Sequence, residues 1–178
     1  MLKRGIFFLC TAVMWITATA QPSKPIRLGI LTDCQYCNCD PLGSRNYRLS
    51  TAKLDSSINT FNAQPPDAVF SLGDMIDHRY ESYDTILPRF RNLKAPFYPV
   101  PGNHDFMIEK EYKQTVIALL GLQNDYYAVE RGDWLFLVLN GNDLSYFAPQ
   151  SKAQKKERNA MITDLFSTLR FTAMPWNG

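Results

Sequence analysis

The sequence predicts a layered α/β protein, and three observations carry that prediction. Short apolar runs at 26–32, 67–72 and 97–100 alternate with helix-length segments, the order that lays helices on a sheet. Each run ends in a polar loop of Asp, Asn, Gln and Gly. The pattern then changes: 126–130 and 134–140 read as strands joined by Arg131-Gly132-Asp133 as a hairpin.

The elements follow in order. Ile26–Thr32 reads as a buried strand with Asp33 at its end. Ser44 to about Phe61 reads as a helix, with Tyr47, Leu54, Ile58 and Phe61 as a partial apolar stripe. Asp67–Leu72 is a second strand, closed by Gly73. Glu81 to about Lys94 reads as a helix that Pro88 should kink or restart. Phe97–Val100 is a third, short strand, and Pro99 and Pro101 are expected to hold it out of a regular central ladder. Glu109–Leu120 reads as an amphipathic helix stopped by Gly121. Tyr126-Tyr127 and Trp134–Leu139 read as sheet core or cross-strand packing. Gln150–Arg158 is polar and basic, a loop or the start of an exposed helix, and its Lys152, Lys155, Lys156 and Arg158 read as a solvated face. Phe171–Gly178 carries no stop signal.

Residues 1–20 read as a cleaved secretory signal peptide. Lys3 and Arg4 precede a largely apolar run, and Ala18-Thr19-Ala20 offers a small-residue cleavage site. The expectation is an exported protein, periplasmic or extracellular, with no membrane attachment after cleavage. Of the 19 basic and 17 acidic residues, removal of Lys3 and Arg4 leaves 17 of each. No global field then draws in nucleic acid or an anionic membrane, so affinity for a phosphate must be local. Cys34, Cys37 and Cys39 remain, an odd number that leaves at least one thiol unpaired within the chain.

The three strand ends concentrate the chemistry. Asp33-Cys34-Gln35 follows the first strand, Gly73-Asp74-Met75-Ile76-Asp77 the second, and Gly102-Asn103-His104-Asp105 the third. In open α/β sheets ligands gather at this carboxyl edge. One such loop would be ordinary turn chemistry; three in register point to a site. Asp33 and Gln35 are two apart, so in extended backbone they share a side. Gly73 and Gly102 precede Asp74 and Asn103, where unusual backbone angles allow close approach to a ligand.

D-x-Q, G-D-x-x-D and G-N-H-D in this order resemble the calcineurin-like metallophosphoesterases. Gln35 stands where that family usually has His, a departure that resembles its manganese-dependent ADP-ribose/CDP-alcohol diphosphatase branch. Gly43-Ser44-Arg45-Asn46-Tyr47-Arg48 is similar to that branch too. The resemblance implies a β-sandwich flanked by helices, with residues 21–178 forming the N-terminal portion of the domain and its second half missing from this chain.

It also implies roles. Asp33 and Gln35 would bind one metal, Asp74 would bridge two, and Asn103 would bind the second. His104 would act on the phosphoryl group, with Asp77 fixing its tautomer. Arg45 would grip a substrate phosphate, although at a helix start it also reads as an ordinary residue. His78 reads as a surface or supporting residue. Two divalent ions are implied, Mn²⁺ favoured over Mg²⁺, Fe or Zn²⁺, because Gln for His substitutes a harder oxygen donor. The substrate would be a small phosphorylated molecule, with no nucleic acid polymer as partner and no oligomeric state specified.

The later histidines of the family are missing from this chain. These 178 residues alone are therefore expected to bind metal weakly and turn over poorly. Rival readings are a general phosphomonoesterase or phosphodiesterase, a non-catalytic binding module on the same scaffold, and a thiol redox protein using Cys34-x-x-Cys37.

Overall fold

The computed structural model describes residues 24–149 and 151–172; the signal segment expected at 1–20 lies outside them. Three short parallel strands form a sheet in the order β1 (Leu28–Leu31), β2 (Ala68–Ser71), β3 (Phe97–Pro99). The register pairs Leu28 with Ala68 and Ser71 with Pro99, so all three strands end at one edge. Parallel neighbours need long crossovers. Helix α1 (Ser50–Ala63) fills the first and α2 (Ser82–Phe90) the second.

The helical layer lies on one face of the sheet. Leu54 and Ile58 of α1 meet Tyr83, Ile86 and Phe90 of α2, with Met75, Ile76, Phe106 and Val116 completing the cluster. On the other face, Ala68 and Phe70 of β2 pack against Val129 of β4 (Tyr127–Arg131) and Val138 of β5 (Trp134–Val138). Strands β4 and β5 form the expected antiparallel hairpin, turning at Gly132-Asp133. Helix, sheet and hairpin make the layered α/β architecture that the residue pattern predicted.

Several boundaries move. The first helix begins at Ser50, not Ser44, because Leu42 and Arg45 exchange backbone hydrogen bonds in a tight turn and Asn46 is non-helical. A 3₁₀ turn over Tyr47–Leu49 then leads into α1. Helix α2 contains Pro88 and stops at Phe90. The segment expected as a helix over 109–120 is 3₁₀ from Lys110 to Thr115, then one α turn, α3 (Val116–Leu119). There Thr115 Oγ1 donates to the Tyr112 carbonyl at 2.7 Å, bonding back into its own turn.

Strand β3 pairs with β2 alone, so it stays out of the central ladder as Pro99 and Pro101 led us to expect. It lies at the sheet edge, where a missing N–H is tolerated. Within the hairpin only alternate residues are core: Phe136 and Val138 face the sheet, while Leu135, Leu137 and Leu139 are exposed. The basic segment is helical, within α4 (Lys152–Thr172). No helix among the described residues is long and apolar enough to cross a membrane.

Candidate metal centre

The loops leaving β1 and β2 run side by side past the sheet edge. The Asp33 N–H donates to Gly73 O at 3.2 Å, Gln35 N–H to Asp74 O at 2.8 Å, and Asp77 N–H to Tyr36 O at 2.9 Å. These bonds hold three of the four non-glycine residues in left-handed backbone among the described residues, Asp33 at φ 53°, Gln35 at 44° and Asp74 at 55°; the fourth, Arg79 at 63°, lies outside them. Such angles cost on the order of 1–3 kcal/mol each and persist only where the surroundings over-determine them. All three are residues singled out as metal donors.

The loop after β3 is pressed against Asp74. A Cβ at Gly102 would lie 2.3 Å from Asp74 Oδ1 and 2.4 Å from Asp74 N, so only glycine fits. The next two residues exploit this approach. His104 N–H donates to Asp74 Oδ1 at 2.8 Å, and the Asn103 side chain remains exposed.

Beside Asp74, Thr32 Oγ1 donates to Asp33 Oδ2 at 2.6 Å and Gln35 Nε2 to Asp33 Oδ1 at 3.4 Å. That orientation leaves Gln35 Oε1 with no hydrogen bond to a described residue. The edge thus offers two carboxylates and two amide oxygens, from Asp33, Asp74, Gln35 and Asn103. Among the described residues no three His, Cys, Asp or Glu side chains gather as a metal group. An all-oxygen set suits hard divalent ions.

Asp77 lies behind this edge, 1% exposed, with one guanidinium and two imidazoles around its carboxylate. His104 Nδ1 is 2.5 Å from Oδ1, His78 Nε2 is 3.2 Å from Oδ2, and Arg45 Nη1 is 3.7 Å from Oδ1. None of the three makes a regular hydrogen bond to the carboxylate. Arg45 supplies the permanent charge. His78, read as a surface or supporting residue, is a direct neighbour of Asp77.

A family model for calcineurin-like phosphoesterases matches residues 26–174, which include every one of these loops. The chain belongs to that family. This phosphoesterase chain also resembles a solved structure described as a dimetal phosphatase from Danio rerio. The TM-score is 0.65 and the identity 19%, over 78% of this chain and 52% of that one. At that identity the likeness speaks for the fold, and the chain spans about half the length of the structure it matches. A search of curated proteins found no match.

One organising residue of this phosphoesterase edge received no role from the sequence. Asp105 is fully buried, and its carboxylate accepts N–H bonds from Gly102 (2.8 Å), Asp74 (2.9 Å), Met75 (3.0 Å) and Ile76 (3.4 Å). The Tyr83 hydroxyl stands 3.2 Å from the same carboxylate. Asp105 therefore clamps the second loop to the third. Burial pushes its carboxyl up to about 6, against the lowering effect of the Gly102 N–H. Its position as the last residue of G-N-H-D was the available signal.

The cysteines take no part in the oxygen edge. Cys37 and Cys39 are disulfide-bonded and Cys34 is free, so the Cys34–Cys37 pair of the redox reading does not form. Burial pushes the Cys34 thiol up to about 11, the opposite of an activated nucleophile.

Proposed function

We propose that this phosphoesterase hydrolyses the phosphoanhydride of a nucleotide-type diphosphate, such as ADP-ribose or a CDP-alcohol, with two divalent metal ions, Mn²⁺ favoured. The observation that carries the reading is Gln35: a left-handed residue beside Asp33 whose Oε1 is not satisfied within the protein. A side chain held at such a backbone cost, with its oxygen unpaired, is explained by a ligand for that oxygen. The description of the zebrafish structure as a dimetal phosphatase supports two ions rather than one.

Asp33, Gln35, Asp74 and Asn103 would hold the ions, and the ions would supply Lewis acidity toward a phosphoryl oxygen. The remaining work falls to the chain's own groups. His104 is placed by its backbone bond to Asp74 and by Asp77 at Nδ1, so its Nε2 is the atom that would give a proton to a departing oxygen from the imidazolium form, leaving the neutral ring with Nδ1–H toward Asp77. Arg45 is half exposed and only loosely paired at 3.7 Å, which leaves it able to turn toward a substrate phosphate. The Cys37–Cys39 disulfide supports an exported protein, since such bonds persist in oxidising compartments.

The test uses the protein expressed from its complete gene. ADP-ribose and a CDP-alcohol are incubated with and without Mn²⁺, beside Asn103→Ala. Metal-dependent release of two phosphorylated products, lost in the variant, is the expected outcome. Cleavage of simple phosphomonoesters alone would overturn the diphosphatase reading.

A further inference from the structure

A cleft of about 340 Å³ opens beside Asp33 and Gln35 and runs between α1 and the β1 end of the sheet. Its helical wall is Ser50, Lys53, Leu54 and Ser57, residues three and four apart and so stacked on one face of α1. Phe90 lines it too. Helix α1 buries Leu54 and Ile58 in the core, and Ser50, Lys53 and Ser57 form the flank beside the cleft. Ser50 Oγ donates to Tyr47 O at 2.7 Å and also meets the Cys34 thiol, and Ser57 Oγ donates to Lys53 O at 3.0 Å, so each hydroxyl is fixed and keeps a lone pair to accept from a ligand. Lys53 forms no ion pair among the described residues.

We propose that this cleft is the subsite for the non-reacting half of the substrate, a sugar phosphate, with Lys53 meeting its phosphate and Ser50 and Ser57 accepting from its hydroxyls. The proposal rests on the diphosphatase reading above and names where the second phosphate goes. Size agrees: small-molecule sites span roughly 300–1,000 Å³, and this open cleft has room for a sugar phosphate. Charge agrees, because expected cleavage at residue 20 leaves no net charge to attract an anion and a local cation must do so.

The first test measures binding, apart from turnover. The protein from its complete gene, stripped of metal, is titrated calorimetrically with ribose 5-phosphate and with ribose. Ribose 5-phosphate should bind, Lys53→Ala should weaken it roughly 10-fold, the usual loss for one charged hydrogen bond, and Lys53→Arg should restore most of it. Lys53 is exposed, so the substitution leaves the fold intact. Absence of ribose 5-phosphate binding, or equal binding by Lys53→Ala, overturns the proposal. The second test, with Mn²⁺ present, compares kcat/KM for ADP-ribose with that for p-nitrophenyl phosphate. Lys53→Ala should lower that ratio about 10-fold. If the calorimetry succeeds while ADP-ribose is not cleaved by the unaltered protein, the diphosphatase reading fails and with it the role as a subsite, and only sugar-phosphate binding in the cleft stands.

Discussion

Nδ1 of His104 lies 2.5 Å from Oδ1 of Asp77, and Asp77 is 1% exposed. A carboxylate this deep must be balanced locally, and its closest partner is the imidazole beside the oxygen edge. Asp77→Asn retains the shape and removes the charge. We expect kcat of the Mn²⁺-loaded protein to fall about 10²–10⁴-fold, the usual share of a general acid, with KM changing far less. Steady-state kinetics on a diphosphate substrate check this; an unchanged kcat would show that the pair serves structure alone.

Asp105 is expected to matter to stability more than any exposed residue of the edge. Asp105→Ala leaves the buried N–H of Met75 and the half-buried N–H groups of Gly102 and Asp74 without an acceptor. Unsatisfied buried donors cost about 1–3 kcal/mol each before relaxation, so a loss of about 3–5 kcal/mol is expected. Urea unfolding measures it. Asp105→Asn, which keeps an acceptor oxygen, should lose less than half as much.

Gly102→Ala forces a methyl group to within 2.3 Å of Asp74 Oδ1. Because the neighbour is a carboxylate held by the His104 N–H, relief requires displacing Asp74 from the edge. We expect the thermal shift that Mn²⁺ gives the unaltered protein to be lost in this variant. A full metal-induced shift in Gly102→Ala would show that Asp74 is not a donor.

Cys34 gives the pH-dependent test. In the metal-free protein burial raises its thiol from 9.0 to about 11. The folded value is above the unfolded one, so its contribution to stability is fully present below pH 9 and is lost as pH rises through 11. At pH 8 the native thiol should react with iodoacetamide at least 100-fold more slowly than in urea, since about two pKa units separate the thiolate fractions. Equal rates would place the sulfur in an exposed, reactive setting.

The parts of the edge legible in the sequence were those that share a type and a spacing. Asp33, Gln35, Asp74, Asn103, His104 and Asp77 all occur within a few residues of strand ends, and the parallel register brings those ends together. Asp105 was not legible as a clamp, because its partners are backbone N–H groups, which every residue has. Nor was the association of Arg45 with Asp77, which depends on the turn between Leu42 and Arg45 that also delays α1 to Ser50. The 3₁₀ stretch at Lys110–Thr115 escaped for another reason: apolar spacing is nearly the same for three and for 3.6 residues per turn.

The left-handed angles at Asp33, Gln35 and Asp74 set stability against chemistry at the same three positions. Glycine would take each angle without strain, so glycine substitution there should make the fold more stable while deleting a donor. A screen for thermostability would find these changes early and discard the oxygen edge in doing so. Related chains can be sorted by the same criterion. A copy relieved of its chemistry would drift toward glycine at 33, 35 and 74, and one still at work would keep its strained side chains.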